Sequence, residues 1–257
     1  NRRRGMPAEK IGRGFPVPRF FATFVLAKNQ TEMSISEQLA RVRASLPEGV
    51  RLVAVSKTHP AEAIREAYEA GQRLFGESRP QELRAKYEEL PKDIEWHMIG
   101  HLQTNKVKYI VPFVQMVESV DSARLAEALQ READKCGRQL DILLEIHVAD
   151  EETKSGWEPD ELREYLASEP FAAMPALRVR GVMGIATNTD DEEVIRRDFL
   201  ALKSLFDELR PRFGADFDTL SMGMSHDYPL AVACGSTLVR VGSLIFGERD
   251  YSKTAAL

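Results

Sequence analysis

Short apolar runs alternate with amphipathic segments along most of this chain, and that alternation constrains the fold more than any other feature. From residue 50 onward, a short apolar run is followed by a helical pattern eight times in succession. Such alternation implies parallel strands joined by right-handed crossovers. Eight units within about 225 residues fit a closed (β/α)8 barrel better than an open doubly wound sheet. We therefore predict a single α/β domain, a TIM barrel.

Turn and cap residues set the boundaries of the predicted elements. Pro60 suits the first turn of a helix, and Gly71 suits the position just after its end. A further helix is expected before the first strand, because Ser34 or Ser36 can cap it with Glu37 near the third position. Strands are predicted at 50–56, 74–76, 95–100, 115–119, 141–148, 178–185, 219–222 and 238–241. Their helices are predicted at 60–70, 80–90, 104–110 and 122–136, from 158, from about 191 to 209, at 228–234 and near the C-terminus.

Residues 1–32 differ from the rest of the chain. They hold seven Lys and Arg against two Asp and Glu, and they have no long hydrophobic period. Arg richness is a trait of transit peptides, and FFATFVLA resembles a short signal core, but no small-residue cleavage site clearly follows it. We favour an upstream extension, because Met33 begins a well-capped helix. We predict that residues 1–32 are disordered and that residues 33–257 form the barrel.

Composition argues against several classes of function. Without residues 1–32 the chain carries a net charge of about −10. That charge disfavours broad nucleic-acid binding, which rests on cationic neutralisation of phosphates. The longest apolar runs fall far short of the ~20 residues that a membrane span needs. Cys136 and Cys234 have no paired spacing and suit thiols in a reducing compartment, so we expect a cytoplasmic protein.

The histidines show no metal-binding pattern. His97 and His101 are four residues apart, which is a metal-ligand spacing on a helix. WHMIGHL has the pattern of a strand, however, along which four residues span about 13 Å. His59, His147 and His226 have no partner pattern, and the sequence contains no HExxH, Walker or GxGxxG motif. No metal site is therefore predicted.

Lys57 directly follows the first predicted strand, at the end where barrels of this kind carry their chemistry. Its neighbours on the strand side are apolar. Loss of hydration favours a neutral amine, the form that attacks an aldehyde to make an imine. The alternative is a lysine at the start of a loop whose ammonium reaches solvent. Position alone favours the alternative.

A second cluster of residues changes that balance. SMGMSHD joins the seventh strand to a helix and places Ser225 beside the helix N-terminus, where backbone N–H groups attract an anion. RVGS ends the eighth strand, where Gly242 permits close approach to a ligand and Ser243 follows it. Loops after strands seven and eight are the usual phosphate site of this barrel, and strand one is the neighbour of strand eight. The barrel mouth therefore suits a ligand with an aldehyde at one side and a phosphate at the other.

Arg240, in the eighth predicted strand, can point toward the same mouth. An arginine stays protonated at any relevant pH. Placed against a pyridine nitrogen, it would leave that nitrogen unprotonated, and the ring would be a weaker electron sink. The alternative is an arginine that closes a structural salt bridge.

Seven ordered motifs resemble those of the pyridoxal phosphate homeostasis protein family, and the resemblance covers essentially Met33–Leu257. The motifs are AVSKTHP (Ala54–Pro60), FGESRPQE (Phe75–Glu82), WHMIGHLQTNK (Trp96–Lys106), KSGW (Lys154–Trp157), RGVMGIAT (Arg180–Thr187), LSMGMSHD (Leu220–Asp227) and GSTLVRVGSLIFGERDY (Gly235–Tyr251).

The resemblance carries expectations about the fold, the cofactor and the site. It implies a barrel like the N-terminal domain of bacterial alanine racemase, without the C-terminal β-rich domain. It implies pyridoxal 5′-phosphate (PLP) as the cofactor, held as a Schiff base on Lys57, with the pyridine nitrogen facing Arg240. The phosphate contacts that it implies come from Ser225, Gly242 and Ser243.

Two positions depart from the family pattern. Ser78 stands where the family often has asparagine, which puts an asparagine-mediated contact to the cofactor in doubt, and Ser78 is kept as a candidate cofactor contact. Ser243 stands where threonine is common and keeps the hydroxyl.

The same resemblance bears on whether the protein is an enzyme. Racemisation needs a second acid or base on the opposite face of the cofactor, and in alanine racemase the extra domain supplies it. The chain ends soon after Arg240, which leaves no room for such a domain. We expect a PLP-binding protein of PLP and amino-acid homeostasis with no established catalytic activity. Its expected partners are PLP and PLP-dependent apo-enzymes, with neither nucleic acid nor membrane. The alternatives are a racemase-type amino-acid enzyme and a barrel that binds another phosphate ester without an imine.

Overall fold

The computed structural model describes residues 33–149 and 155–248. The described residues do not include residues 1–32, for which disorder is predicted, the motif residue Lys154 or the chain after Glu248. Within the described ranges, no helix combines the length and the apolar character that crossing a membrane requires.

Eight parallel strands close into one barrel in chain order, which confirms the predicted fold. β8 closes the barrel on β1, with Arg51 opposite Leu238 and Ala54 opposite Val241. The first and last strands therefore end side by side. The strands are β1 (Arg51–Val55), β2 (Leu74–Glu77), β3 (Glu95–Met98), β4 (Met116–Val120), β5 (Leu140–Ile146), β6 (Leu177–Gly184), β7 (Thr219–Ser221) and β8 (Leu238–Val241).

Helices precede the barrel and connect its strands. Ser34 caps the first helix in a capping box with Glu37, which selects Ser34 over Ser36. The α-helices are α1 (Ile35–Ala44), α2 (Ala61–Glu69), α3 (Pro80–Glu89), α4 (Ala123–Lys135), α5 (Pro159–Ala167), α6 (Glu169–Ala172), α7 (Glu192–Phe213), α8 (Tyr228–Ala233) and α9 (Ser243–Phe246).

Most element boundaries lie within two residues of the predicted ones, whereas α7 continues four residues beyond its predicted end, to Phe213. β3 ends at Met98, two residues earlier than predicted. Thr104–Tyr109 is a 3-10 helix rather than an α-helix. The single helix predicted after β5 is split into α5 and α6, because Pro170 lacks the N–H that would continue the first helix and instead stands in the first turn of the second.

The inside of the barrel is apolar at depth and polar toward the mouth. Side chains alternate across each strand, so every second residue faces inward. Met116, Leu143 and Leu238 face inward on β4, β5 and β8. Two positions further along the same three strands, the inward residues are Glu118, Glu145 and Arg240, each at most 8% exposed. Charged groups are thus concentrated at one level of the interior, toward the ends of the strands. The apolar layer consists of Val53, Val55, Leu74 and Leu238 on one side and Met116, Leu143 and Met183 on the other.

Candidate functional site

Lys57 lies two residues beyond the end of β1, at the mouth of the barrel. Val53 and Val55 face the interior, and Lys57 stands in the turn that directly follows this strand end. The residue is partly buried. The structure therefore has Lys57 at the predicted end of the first strand, and its bond to a cofactor stays a prediction.

A buried ion-pair network supports the backbone just before Lys57. Ser56 donates its hydroxyl to Glu77 Oε1 at 2.6 Å. Lys86 of α3 donates to Ser56 O at 2.8 Å and to Glu77 Oε1 at 2.7 Å. Glu77 is fully buried and Lys86 is 7% exposed. Charges attract strongly in such a low-dielectric setting, so the network holds Ser56 firmly against α3.

The residue after Lys57 is held by the same helix. Thr58 has a φ of 69°, a left-handed conformation that is uncommon for a β-branched residue. Its N–H donates to Glu82 Oε1 at 2.6 Å, and Glu82 also pairs with Lys86 at 2.7 Å. Helix α3 thereby fixes the turn on both sides of Lys57.

Sequence reasoning missed this supporting network. The available signal was the four-residue spacing of Glu82 and Lys86, which puts an acid and a base on one helix face. The fully buried Glu77 could not be recognised from its position at the end of a strand. Burial raises the pKa of Glu77 to about 7 in spite of Lys86, and its Oε2 has no hydrogen-bond partner among the described residues.

The residues predicted to bind phosphate lie where β7 and β8 end. Ser225, between β7 and α8, accepts a hydrogen bond from the Gly242 N–H at 3.2 Å. Gly242 lies against β1, because a Cβ there would be 3.1 Å from Val55 O. Ser243 is the first residue of α9. The structure thus brings Ser225 and Gly242 together beside the strand end that leads to Lys57.

Arg240 points into the barrel and is 4% exposed. Its Nη1 donates to Ser221 Oγ at 2.6 Å, and its Nη2 donates to Gly184 O at 3.0 Å. Its Nη1 also lies 3.9 Å from Glu118 Oε2. Burial lowers the pKa of Arg240 from its usual value, and neighbouring carboxylates oppose that shift. The arginine therefore faces the interior of the barrel and also forms an ion pair with Glu118, so each of the two interpretations drawn from the sequence describes part of its surroundings.

Glu118 and His97 complete this arrangement, and sequence reasoning missed Glu118 altogether. Glu118 Oε2 accepts the Ser221 hydroxyl at 2.6 Å, and Glu118 Oε1 lies 2.6 Å from His97 Nδ1. The pKa of Glu118 is held below its usual value because His97, Arg240 and Ser221 together outweigh the opposing effect of burial. The only sequence signal was a glutamate in a strand whose remaining residues, apart from Ser119, are apolar.

Glu145 is a further buried carboxyl on the inner face of β5. Burial, reinforced by the nearby charge of Asp121, raises its pKa to about 7 although Arg240 and His101 act in the opposite direction. Its Oε2 has no hydrogen-bond partner among the described residues. The barrel mouth thus contains a carboxyl that changes protonation near neutral pH.

Ser78 is the first residue after β2, which ends at Glu77, and it is partly buried. The chain packs tightly there, because a Cβ on Gly100 would lie 2.8 Å from Ser78 O. This close approach accompanies the early end of β3. A contact between Ser78 and a cofactor stays a prediction.

The two histidines with four-residue spacing have separate partners. His97 pairs with Glu118 in the interior, whereas the exposed His101 lies 3.0 Å from Asp121 through its Nδ1. In the part of the chain that the structure describes, no group of three or more His, Cys, Asp or Glu residues is placed to hold a metal ion.

Comparisons with known proteins give consistent matches over most of the chain. Residues 32–250 match the family described as alanine racemase, N-terminal domain. The pyridoxal phosphate homeostasis protein of Aquifex aeolicus is 42% identical over 230 residues, which cover 85% of this chain and 100% of that protein. The protein of the same name from Escherichia coli is 40% identical over 235 residues, covering 85% of this chain and 98% of that protein.

Solved structures show the same likeness. PipY of Synechococcus elongatus, solved with PLP bound, is 42% identical with a TM-score of 0.76, covering 83% of this chain and 100% of that one. Alanine racemase from E. faecalis is 17% identical with a TM-score of 0.66, covering 87% of this chain and 60% of that one. At that identity the second likeness shows a shared fold alone.

Proposed function

We propose that this chain, which belongs to the pyridoxal phosphate homeostasis protein family, binds PLP at the mouth of its barrel as a Schiff base on Lys57. Its role is the homeostasis of PLP and of amino acids in the cytoplasm, with PLP-dependent apo-enzymes as recipients of the cofactor. The family membership and the PLP bound to the related PipY structure support the choice of ligand.

One observation carries the proposal, namely that the ends of β1, β7 and β8 converge. The Gly242 N–H bonds to Ser225, and Gly242 packs against Val55, two residues before Lys57. A hydroxyl, backbone N–H groups and a glycine without a Cβ are the donor set that suits a phosphate. An amine at the neighbouring strand end suits an aldehyde, so the residues present fit this cofactor.

Each residue has a distinct task in the proposed site. Ser225, Gly242 and Ser243 hold the phosphate, and Ser78 lines the mouth. PLP supplies an electrophilic aldehyde, which Lys57 bonds. Arg240, which stays protonated, faces the ring nitrogen and disfavours its protonation. A ring without that proton stabilises carbanions poorly, which favours storage and delivery of the cofactor over amino-acid chemistry.

The test is a visible spectrum of the purified protein loaded with PLP. We expect a band near ~420 nm, where a protonated imine absorbs, and borohydride should fix the cofactor to the peptide that contains Lys57. Lys57→Ala should abolish both signals while leaving weak, reversible binding through the phosphate. Lys135→Ala, at an exposed position of α4, is the matched control and should behave as the wild type.

Three outcomes would contradict the proposal. A band that persists in Lys57→Ala would mean that another lysine holds the cofactor. Turnover of a D- or L-amino acid that depends on Lys57 would favour a racemase-type enzyme instead. If the protein retains phosphate esters but shows neither the band nor fixation, it binds them without an imine.

A further inference from the structure

Four polar side chains from four different strands meet at the centre of the barrel. They are His97 of β3, Glu118 of β4, Ser221 of β7 and Arg240 of β8, here called the central relay. Each is at most 4% exposed. Since they come from opposite walls of the barrel, they form one chain of contacts across its interior.

The hydrogen bonds of the central relay have only one consistent direction. An ionised carboxylate accepts and cannot donate, so Glu118 accepts from His97 Nδ1–H and from the Ser221 hydroxyl. Ser221 has then donated its one hydrogen, and its oxygen is left to accept from Arg240 Nη1 at 2.6 Å. Glu118 thereby determines which way Ser221 points its lone pairs.

Arg240 is consequently held at two separate points. Ser221 accepts from Nη1, and Gly184 O accepts from Nη2 at 3.0 Å. Two bonds to the planar guanidinium fix its plane as well as its position. The carboxylate of Glu118, 3.9 Å from Nη1, adds an attraction that keeps the charged group at this depth.

Glu118 remains ionised in this setting. The His97 contact, the charge of Arg240 and the Ser221 hydroxyl hold the pKa of Glu118 below its usual value although the group is fully buried. The direction of the relay is therefore stable at neutral pH.

Stability alone does not account for a charged layer at this place. The residues two positions earlier on the same strands, Met116 before Glu118 and Leu238 before Arg240, show that apolar side chains fill this interior. A buried ion pair is often no more stabilising than apolar residues of similar volume. What the relay adds over apolar packing is a defined orientation of one guanidinium.

We propose that Glu118 is a positioning residue that acts through Ser221 to hold Arg240 in the orientation in which it meets the ring nitrogen of bound PLP. The inference rests on the proposed function, because it concerns the contact between Arg240 and that cofactor. It assigns a task to a glutamate and a serine that lie outside the expected cofactor contacts.

The experiment compares Glu118→Gln with the wild type, both loaded with PLP labelled with nitrogen-15 in the ring. The amide keeps the shape of the side chain and removes its charge. We expect the nitrogen-15 chemical shift of the ring to change and PLP to be released about tenfold faster, a factor that corresponds to about 1.4 kcal/mol. Ser221→Ala breaks the same connection from the other side and should produce the same change of chemical shift.

Asp141→Asn is the matched control, at the opposite end of the barrel. Asp141 is a buried carboxylate that pairs with Arg178 at 2.5 Å and with Arg180 at 3.3 Å. Its loss should lower the melting temperature without changing the ring nitrogen signal. A purely structural glutamate at position 118 would behave in the same way as this control.

The outcomes separate the inference from the proposed function. If Glu118→Gln and Ser221→Ala lower stability but keep the wild-type nitrogen signal and release rate, the inference is wrong and the proposed function stands. If Glu118→Gln fails to fold, Ser221→Ala decides the question alone. If the wild type shows neither an imine band nor fixation by borohydride, the proposed function fails and the inference fails with it.

Discussion

Lys86 of α3 donates a 2.7 Å hydrogen bond to Glu77 at the end of β2, with both side chains buried. The same ammonium bonds to Ser56 O, in the residue before Lys57. A helix on the outside of the barrel is therefore connected by a buried ion pair to the turn that carries the proposed cofactor lysine. A rigid second layer of this kind holds a functional side chain in one place.

Lys86→Met should destabilise the protein strongly. Methionine keeps much of the side-chain volume but leaves Glu77 and Glu82 without their shared cation. We expect the free energy of unfolding at pH 8 to fall by about 3–5 kcal/mol, the usual effect of removing one partner of a buried pair. Urea denaturation measures it. Arg84→Met, which breaks an exposed pair with Glu88 on the same helix, is the control and should cost at most about 1 kcal/mol. Equal losses in the two variants would contradict the assigned role of Lys86.

Glu145 should make stability depend on pH. Its pKa in the folded protein is about 7, above the ordinary 4.5. The folded state therefore binds more protons than the unfolded chain between pH ~4.5 and ~7, and stability falls as pH rises through that window. Glu145→Gln cannot titrate. The free energy of unfolding of this variant, taken relative to that of the wild type, should therefore increase by up to about 3 kcal/mol as the pH rises from 4.5 to 8.

Denaturation curves at a series of pH values check the Glu145 prediction. Glu77 titrates in the same window, so the wild-type curve alone is not sufficient, and the difference between variant and wild type isolates Glu145. Glu48→Gln, at an exposed loop position, is the control for the substitution itself. A difference for Glu145→Gln that stays constant across the pH series would show that Glu145 is ionised in the folded protein throughout the window.

Ser225→Asp should weaken binding of PLP and spare pyridoxal, which has no phosphate. The new carboxylate repels the phosphate by like charge and removes the hydroxyl beside the Gly242 N–H. We expect a loss of about 2 kcal/mol for PLP, or roughly thirtyfold in Kd, measured by equilibrium dialysis. Ser204→Asp, on an exposed part of α7, controls for added charge. Equal weakening of both ligands would place Ser225 away from the phosphate.

Gly242→Ala should separate two strand ends that now touch. The added Cβ would lie 3.1 Å from Val55 O and 3.3 Å from Val55 Cβ, so β8 must move away from β1 by a few tenths of an ångström. We expect a loss of about 1–2 kcal/mol in stability together with faster release of PLP. Gly49→Ala is the contrast, because its site is open but has a φ of +87°. It should lose a similar amount of stability through backbone strain and release PLP at the wild-type rate. Unchanged release in Gly242→Ala would contradict the proposed cradle.

The fold could be predicted because its signal is local and repeated. Each strand and helix shows in the periodicity of its own residues, and eight repetitions outweigh an error in any one of them. The incorrect predictions concern the ends of strands and helices, because these ends depend on residues that are neighbours in space but not in sequence. β3 ends early where Gly100 meets Ser78, a contact between two strand ends that periodicity does not record.

The predicted site residues share one local property, since Lys57, Ser225 and Gly242 all follow the end of a strand. Parallel strands in a closed barrel end at one rim, so chain order alone places these three at the same mouth. By itself the sequence therefore determined the barrel and the residues around its rim.

The tertiary structure alone decided what lies beneath and behind that rim. Glu118 bonds to His97 and Ser221, which are 21 and 103 residues away along the chain, and Lys86 bonds to Ser56, 30 residues away. Such partners meet only because the barrel closes, and a glutamate or lysine destined for burial has no local mark that distinguishes it from an exposed one. Periodicity records which side a residue faces, whereas a buried charge is defined by the partner that it meets across the fold.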